Sequence, residues 1–197
     1  YWHVASLNHS KHSLPALGLC KTETTTFRFD SETMKSLREE AKQKDISTNT
    51  LLNQIVKVHL KWHVNASNAG FIAVRRLLIT SLISHLSEQE IISVAENVAK
   101  NTNKDTILLL ENEYTMKSAL DFIENWIKIS GYKYKHHEIN DGQNRHMYVI
   151  QHDMGIKWSI YLTNLYQFLF DDVNKDNKRK IEIEKTENTL AFTVDVD

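Results

Sequence analysis

The chain has 197 residues, a formal net charge of −1 and an ordinary hydrophobic content, which suits one large domain or two small ones. Its single cysteine, Cys20, excludes an internal disulfide and indicates a reducing compartment. Since no run of residues is long and apolar enough for a membrane span or a signal peptide, we predict a cytoplasmic protein without a membrane partner.

Residues 1–22 show little hydrophobic periodicity and are predicted to form a disordered arm. The arm contains histidines with irregular spacing, and no metal is assigned to them: His3, His9 and His12. A regular alternation of side chains begins after the arm, at Thr24.

Residues 24–30 alternate polar and apolar side chains, as a half-buried β-strand does. In a strand, Phe27 and Phe29 would share one face. The opposite face would carry three side chains that form hydrogen bonds: Thr24, Thr26 and Arg28. The segment is therefore predicted to be a strand that must bury its two phenylalanine rings.

Two helices are predicted after this strand. Asp30 or Ser31 is suited to cap the first helix, and Glu32 is favourable in its first turn. The apolar stripe of this helix consists of Met34, Leu37 and Ala41. A break at residues 45–46 separates it from the second helix, which Ser47 is suited to cap. The second apolar stripe consists of Leu51, Leu52, Ile55, Val56 and His59.

This strand–helix–helix pattern resembles the ribbon-helix-helix family of DNA-binding regulators, over about a fifth of the chain. The residues that match the pattern of the family are Phe27, Arg28, Phe29, Glu32, Leu37, Ala41, Ile46, Ser47 and Leu51. Two positions depart from it: Asp30 stands where proline is common, and Asp45 stands where glycine is common. Asp45 must therefore adopt a left-handed backbone, which aspartate tolerates better than most residues.

The resemblance implies a homodimer, because one strand and two short helices cannot cover both phenylalanine rings. Two copies would pair their strands antiparallel and offer a two-stranded ribbon to the major groove of DNA. By resemblance, the residues that contact base edges are Thr24, Thr26 and Arg28. The residues that contact a phosphate at the start of the second helix are Ser47, Thr48 and Asn49. Residues 23–64 are thus expected to be the DNA-binding and dimerisation unit of a transcriptional regulator.

The charge is divided unevenly along the chain. Residues 1–64 hold nine lysines and arginines against six acidic residues, whereas the remainder holds fifteen against nineteen. The mildly basic part therefore coincides with the expected DNA-binding unit, and dimerisation would double its charge. Double-stranded DNA and a second copy of the chain are the predicted partners, and a small effector or another protein is a further candidate.

Residues 70–102 predict a helical hairpin. Its first helix, Phe71–Leu86, has a wide apolar face that requires burial, and Ser87 with Glu90 forms a capping box that opens the second helix. Because the second helix is acidic, it is a poor reader of DNA. We interpret the hairpin as a structural linker or as an extension of the dimer.

Residues 105–197 show the order β-α-β-β-α-β with one further strand, which suggests a ferredoxin-like α/β sandwich. The predicted elements are a strand at Ile107–Leu110, a helix at Met116–Ser130, strands at Tyr132–Ile139 and Arg145–His152, a helix at Lys157–Phe170, and strands at Ile181–Ile183 and Leu190–Val196. This domain is predicted to sense an effector or to build oligomers. The predicted fold class of the whole chain is α+β.

Several histidines fall on the hairpin predicted at residues 132–152. A two-residue turn at Asp141 and Gly142 would place His137 opposite His146, and two facing imidazoles can begin a transition-metal site or a proton-sensitive switch. A turn longer by one residue would destroy this pair. No cofactor is predicted, and these two histidines are the metal candidates.

No phosphate-binding loop, dinucleotide fingerprint, zinc-protease motif or nucleophile elbow occurs in the sequence, and we expect no enzyme. Two alternatives to a DNA-binding regulator are open. The first is an antitoxin-like module that binds another protein. The second is a metal or small-ligand sensor centred on the C-terminal domain.

Overall fold

A computed structural model describes residues 23–140, 144–175 and 179–195. The chain divides into two compact units, Tyr1–Leu51 and Leu52–Asp197. The described residues combine α-helices with a four-stranded antiparallel sheet, so the predicted α+β class is confirmed. The arm predicted at residues 1–22 lies outside the described residues.

The first unit contains helix α1, Ser31–Gln43, and the start of helix α2, Thr48–Val58. Of the two candidate caps for α1, the structure uses Asp30, whose carboxylate accepts hydrogen bonds from the Thr33 hydroxyl at 2.7 Å and the Thr33 backbone N–H at 2.8 Å. Both hydrogen bonds lower the pKa of the Asp30 carboxyl, and the bond from the Thr33 hydroxyl has the larger effect. Ser47 caps α2, because its Oγ accepts the backbone N–H of Thr50 at 3.0 Å.

The turn between α1 and α2 contains the left-handed residue that the sequence requires. Asp45 has a φ of 53°, which confirms the expectation for the position where the family favours glycine. The Ile46 N–H donates to the Ala41 carbonyl at 3.0 Å, and the Asp45 N–H donates to the Lys42 carbonyl at 3.2 Å. This is the Schellman pattern, which satisfies carbonyls that the end of a helix leaves open.

The second unit is mainly helical before its sheet begins. Helix α2 runs through a π-helical turn at His59–His63 into the short helix α3, Val64–Ala66. The later helices are α4, Arg76–Ser84; α5, Glu88–Val98; α6, Lys104–Glu111; α7, Met116–Ile129; and α8, Ile156–Val173. Among the described helices, none is both long and apolar enough to cross a membrane.

The strand predicted at Ile107–Leu110 is wrong, because these residues belong to α6. Helix α5 passes through a π-helical turn at Ala99–Asn103 directly into α6. Ile107 and Leu110 are buried, whereas Leu108 and Leu109 between them are exposed. This is the i, i+3 spacing of a helix, and a run of four apolar residues in the sequence hides it.

The sheet consists of β1, Lys133–Asn140; β2, Asn144–Gln151; β3, Ile181–Lys185; and β4, Thr189–Asp195. Its order is β1-β2-β4-β3, and every described pairing is antiparallel. A ferredoxin-like arrangement is not confirmed, since the strand expected to open it is helical. Helix α7 and the hairpin of β1 and β2 agree closely with the prediction.

Helices α7 and α8 pack on one face of the sheet and form the main core with it. Phe192 of β4 lies at the centre, with its ring 5.3 Å from that of Phe170 and 5.6 Å from that of Tyr166, both on α8. The core members with almost no exposed surface include Ile107, Ile123, Ile127, Ile150, Leu162, Phe170, Leu190 and Phe192.

Two cations tie the helical hairpin of α4 and α5 to the sheet-bearing part of the second unit. The Nζ atom of Lys157 on α8 donates to the carbonyls of Ser84 and Leu86 at 2.7 and 2.6 Å, just where α4 ends. The Nη2 atom of Arg76 donates to the carbonyls of Ser130 and Gly131, just where α7 ends. Both cations therefore sit where the helix dipole favours positive charge.

The predicted capping box of Ser87 and Glu90 on α5 is confirmed.

Candidate nucleic-acid interface and histidine cluster

The predicted base-contacting residues lie in an open segment. Residues 23–30 belong to no helix or strand, and all of them are exposed. They include the three residues expected to face DNA bases: Thr24, Thr26 and Arg28. A strand needs a partner for its backbone hydrogen bonds, and no described part of the chain pairs with this segment. The ribbon itself thus stays a prediction.

Two phenylalanines of this segment remain uncovered. Phe27 is 69% exposed and Phe29 is 43% exposed, while their ring centroids lie 6.4 Å apart. The rings are therefore neighbours, as the alternating pattern predicts. Large aromatic side chains gain much from burial, so two adjacent exposed rings form an apolar surface feature of this segment.

The predicted phosphate-contacting residues stand at the beginning of α2. The hydroxyl of Ser47 is already engaged in the cap, where it lies 2.8 Å from the Thr50 hydroxyl. Thr48 and Asn49 occupy the first turn, and Asn49 is exposed. The backbone N–H groups of a first helical turn point outward along the axis and favour an anion. The structure thus places these three residues together at one helix end.

The register of the β1–β2 hairpin differs from the prediction by one residue. Asn140 pairs with Asn144, so three residues lie between the paired positions, not two. His137 consequently lies opposite Met147, and the predicted pair of His137 and His146 is wrong. A shift of one residue moves every side chain to the other face of the sheet.

The observed register creates a different histidine cluster. Glu138 pairs directly with His146, and His136 lies two residues earlier on the same face of β1. The Nε2 atom of His136 is 2.9 Å from the Nδ1 atom of His146. One donor atom from each of His136, Glu138 and His146 lies within 4.8 Å of the others. The sequence prediction missed His136 and Glu138 because its turn was one residue shorter than the observed one.

Neighbouring side chains hold the His136 ring in place and bring carboxylates near the cluster. The His136 ring stacks on Tyr148 with centroids 4.2 Å apart and an interplanar angle of 6°. Burial is the main cause that raises the pKa of Tyr148, and the carboxylates of Glu124 and Asp121 add to it. The Glu124 carboxylate also accepts a hydrogen bond from the Tyr134 hydroxyl at 3.1 Å. The cluster therefore lies near the acidic side chains of α7.

A second polar arrangement, His152 with Ser159, is fully buried. The Met154 N–H donates to His152 Nδ1 at 3.1 Å, so Nδ1 is unprotonated and the proton of the neutral ring is on Nε2. His152 Nε2 therefore donates to Ser159 Oγ at 2.8 Å, and Ser159 in turn donates to the Glu187 carbonyl at 3.1 Å. A catalytic base would have to accept the serine proton, and this ring donates its own. The pair is thus a structural network.

This network predicts an acid-sensitive second unit. Burial lowers the pKa of His152 in the folded protein, whereas the unfolded chain takes up its proton near pH 6.5. Below about pH 6.5 the unfolded state binds more protons at this residue, so we expect the free energy of unfolding to fall as the pH falls. In His152→Gln this part of the pH dependence should disappear, as measured by urea unfolding between about pH 5 and pH 8.

The exposed His85 supplies the matched control, because His85→Gln should keep the wild-type pH dependence. A stability difference between wild type and His152→Gln that stays constant over this pH range would contradict the assignment.

A cleft of about 500 Å³ lies within the second unit. Its wall is mainly apolar, and its aromatic members and arginine are Trp62, Phe71, Arg76, Trp126, Tyr132 and Trp158. Apolar clefts with a few polar groups are typical small-molecule sites. Trp62, Trp126 and Trp158 belong to three different elements and come together only through the fold.

Comparisons with known protein families, with curated proteins and with solved structures find no significant match to this chain. The interpretation of its sites therefore depends on its own residues and geometry.

Proposed function

We propose that this protein is a homodimeric, sequence-specific DNA-binding protein that regulates transcription. The observation that carries the proposal is the exposed segment with Phe27 and Phe29 directly before a capped pair of helices. Pairing of this segment with its counterpart in a second copy would satisfy the backbone of both strands and cover all four rings. The pairing is the ribbon of a ribbon-helix-helix dimer.

Further exposed apolar residues support a second copy as the partner. Ile55 and Val56 on α2 are 44% and 50% exposed. Both belong to the apolar stripe that a ribbon-helix-helix dimer would bury between its helices. An isolated apolar residue on a surface needs no explanation, but two adjacent exposed members of one helical stripe suit burial against another copy.

In such a dimer the side chains opposite the phenylalanines would face outward. Arg28 is exposed and long enough to give two hydrogen bonds to a guanine, and Thr24 and Thr26 suit either a polar base edge or a thymine methyl group. The first turn of α2 would hold a flanking phosphate. The second unit would carry the sensing or oligomerising role, and its aromatic cleft supports that role.

Selection of binding sites from a random double-stranded library tests the proposal. We expect the enriched sites to be short and two-fold symmetric, as the symmetry of the dimer requires. Arg28→Ala should weaken binding to the best site by about 1–3 kcal/mol and relax the preference at one base position in each half-site, as measured by fluorescence anisotropy at fixed salt.

Arg38→Ala is the matched control, because Arg38 is exposed on α1 and its loss removes the same charge from the same unit. It should leave the base preference unchanged. Equal weakening by both variants on all sequences would place Arg28 among the phosphate contacts. A library without any enriched sequence would reject sequence-specific DNA binding itself.

A further inference from the structure

We propose that His136, Glu138 and His146 bind one divalent transition-metal ion, with Zn²⁺ as the best-suited probe. The site lies entirely within the second unit, and the proposal does not depend on DNA binding. Two imidazole nitrogens and one carboxylate oxygen form a ligand set that zinc accepts, with a fourth position left for water.

The donor atoms need little movement to surround an ion. Zinc binds histidine nitrogens at about 2.0–2.1 Å, so two nitrogens of a tetrahedral site lie about 3.3 Å apart. His136 Nε2 and His146 Nδ1 are already 2.9 Å apart, so binding needs a few tenths of an ångström more and a turn of the rings that points both lone pairs at the ion. Glu138 is exposed, and its flexible side chain can bring the carboxylate to the ion.

The positions of the ligands are set by rigid parts of the fold. His136 and Glu138 stand two residues apart on β1, and His146 is paired with Glu138 across the hairpin. The ring of Tyr148 holds that of His136 in a stacked orientation. Phe192 in turn stacks on Tyr148, with the ring centroids 4.9 Å apart. An ion would therefore meet a largely preformed site, which reduces the entropy cost of binding.

The local charge also favours a cation. Asp121 and Glu124 act electrostatically on Tyr148, the residue stacked against His136, and Glu138 is itself a ligand. Lys128 offsets part of this charge, because it forms an ion pair with Glu124 at 2.6 Å. Three carboxylates against one lysine leave an excess of negative charge, which attracts a divalent ion and strengthens its hold.

The competing interpretation is a simple hydrogen bond between two imidazoles that completes the end of the hairpin. In that bond one nitrogen must carry a proton, whereas metal binding requires a lone pair on both nitrogens. Each ring can supply that lone pair by moving its proton to its other nitrogen. The two interpretations therefore differ in whether the ring nitrogens bind an ion when one is offered.

Calorimetric titration of the tag-free full chain with Zn²⁺ tests the proposal. We expect one equivalent of zinc per chain to bind at this site, with an accompanying rise in the melting temperature. His136→Phe keeps a ring stacked on Tyr148 but removes a ligand. This variant, Glu138→Gln and His146→Ala should each bind zinc at this site at least tenfold more weakly.

His137→Phe is the control, since it makes the same substitution on the same strand but on the opposite face of the sheet. It should bind zinc like the wild type. Circular dichroism without metal identifies any variant that fails to fold. If His136→Phe is unfolded, His146→Ala and Glu138→Gln test the metal site. Wild-type affinity in the folded ligand variants, or equal losses in the His137 control, would overturn the site and assign any binding to other histidines.

Discussion

Replacing Phe27 with aspartate is expected to convert the proposed dimer into monomers and to abolish the proposed specific DNA binding. Phe27 is 69% exposed in the single chain, and the proposed strand pairing buries this ring in both copies. Each lost phenylalanine removes about 1.5–3 kcal/mol of apolar burial, and each unpaired buried carboxylate costs several kcal/mol more. Because the dimer is two-fold symmetric, each of these free-energy losses occurs twice. Their sum exceeds the binding free energy of a small interface.

Light scattering coupled to size-exclusion chromatography measures the mass directly at micromolar concentration. Phe27→Leu should keep the mass of the dimer, because it retains most of the apolar surface. Thr26→Ala should also keep that mass and still weaken DNA binding, since Thr26 would face the groove. A folded Phe27→Asp variant with the mass of the wild-type dimer would contradict the strand pairing and favour a module that binds another protein.

Replacing Phe170 with alanine is expected to produce the largest loss of stability within the second unit. The Phe170 side chain has no exposed surface and lies between the rings of Tyr166 and Phe192, with centroids 6.3 and 5.3 Å away. Such a truncation leaves a cavity that close-packed neighbours fill only in part, and it costs about 3–5 kcal/mol. This is a large share of the roughly 5–15 kcal/mol that holds a domain folded.

The midpoint of urea unfolding, followed by far-ultraviolet circular dichroism, gives this loss if the slope of the transition is unchanged. Leu109→Ala on α6 is the control, because Leu109 is 42% exposed and should cost well under half as much. Similar losses in both variants would show that Phe170 is not at the centre of the core.

The local signals in the sequence predicted local structure well. Asp45 was expected to be left-handed, and Ser87 and Glu90 were expected to form a capping box; the structure confirms both. These features depend on a few adjacent residues and on backbone chemistry that tolerates few alternatives. They do not need any knowledge of what packs nearby.

Features that depend on distant residues were not predictable in the same way. The apolar run Ile107–Leu110 fits a buried strand as well as a helix, and only the continuation of α5 into α6 decides between them. The histidine cluster depends on hairpin register, and one additional residue between the paired positions exchanged His137 for His136. The proposed pairing of residues 23–30 would be with a second molecule, and no local pattern within one chain encodes that contact.

The small buried interior of the first unit has a consequence for how the proposed regulator would respond to its own abundance. Among residues 23–51, Ala41 and Leu51 alone are buried. In the proposed dimer, a unit with so little interior would gain most of its folding energy from the partner copy, so dilution would unfold it as well as separate it. Operator occupancy would then rise with about the square of the protein concentration, so that a modest change in synthesis or turnover produces a steep change in repression or activation.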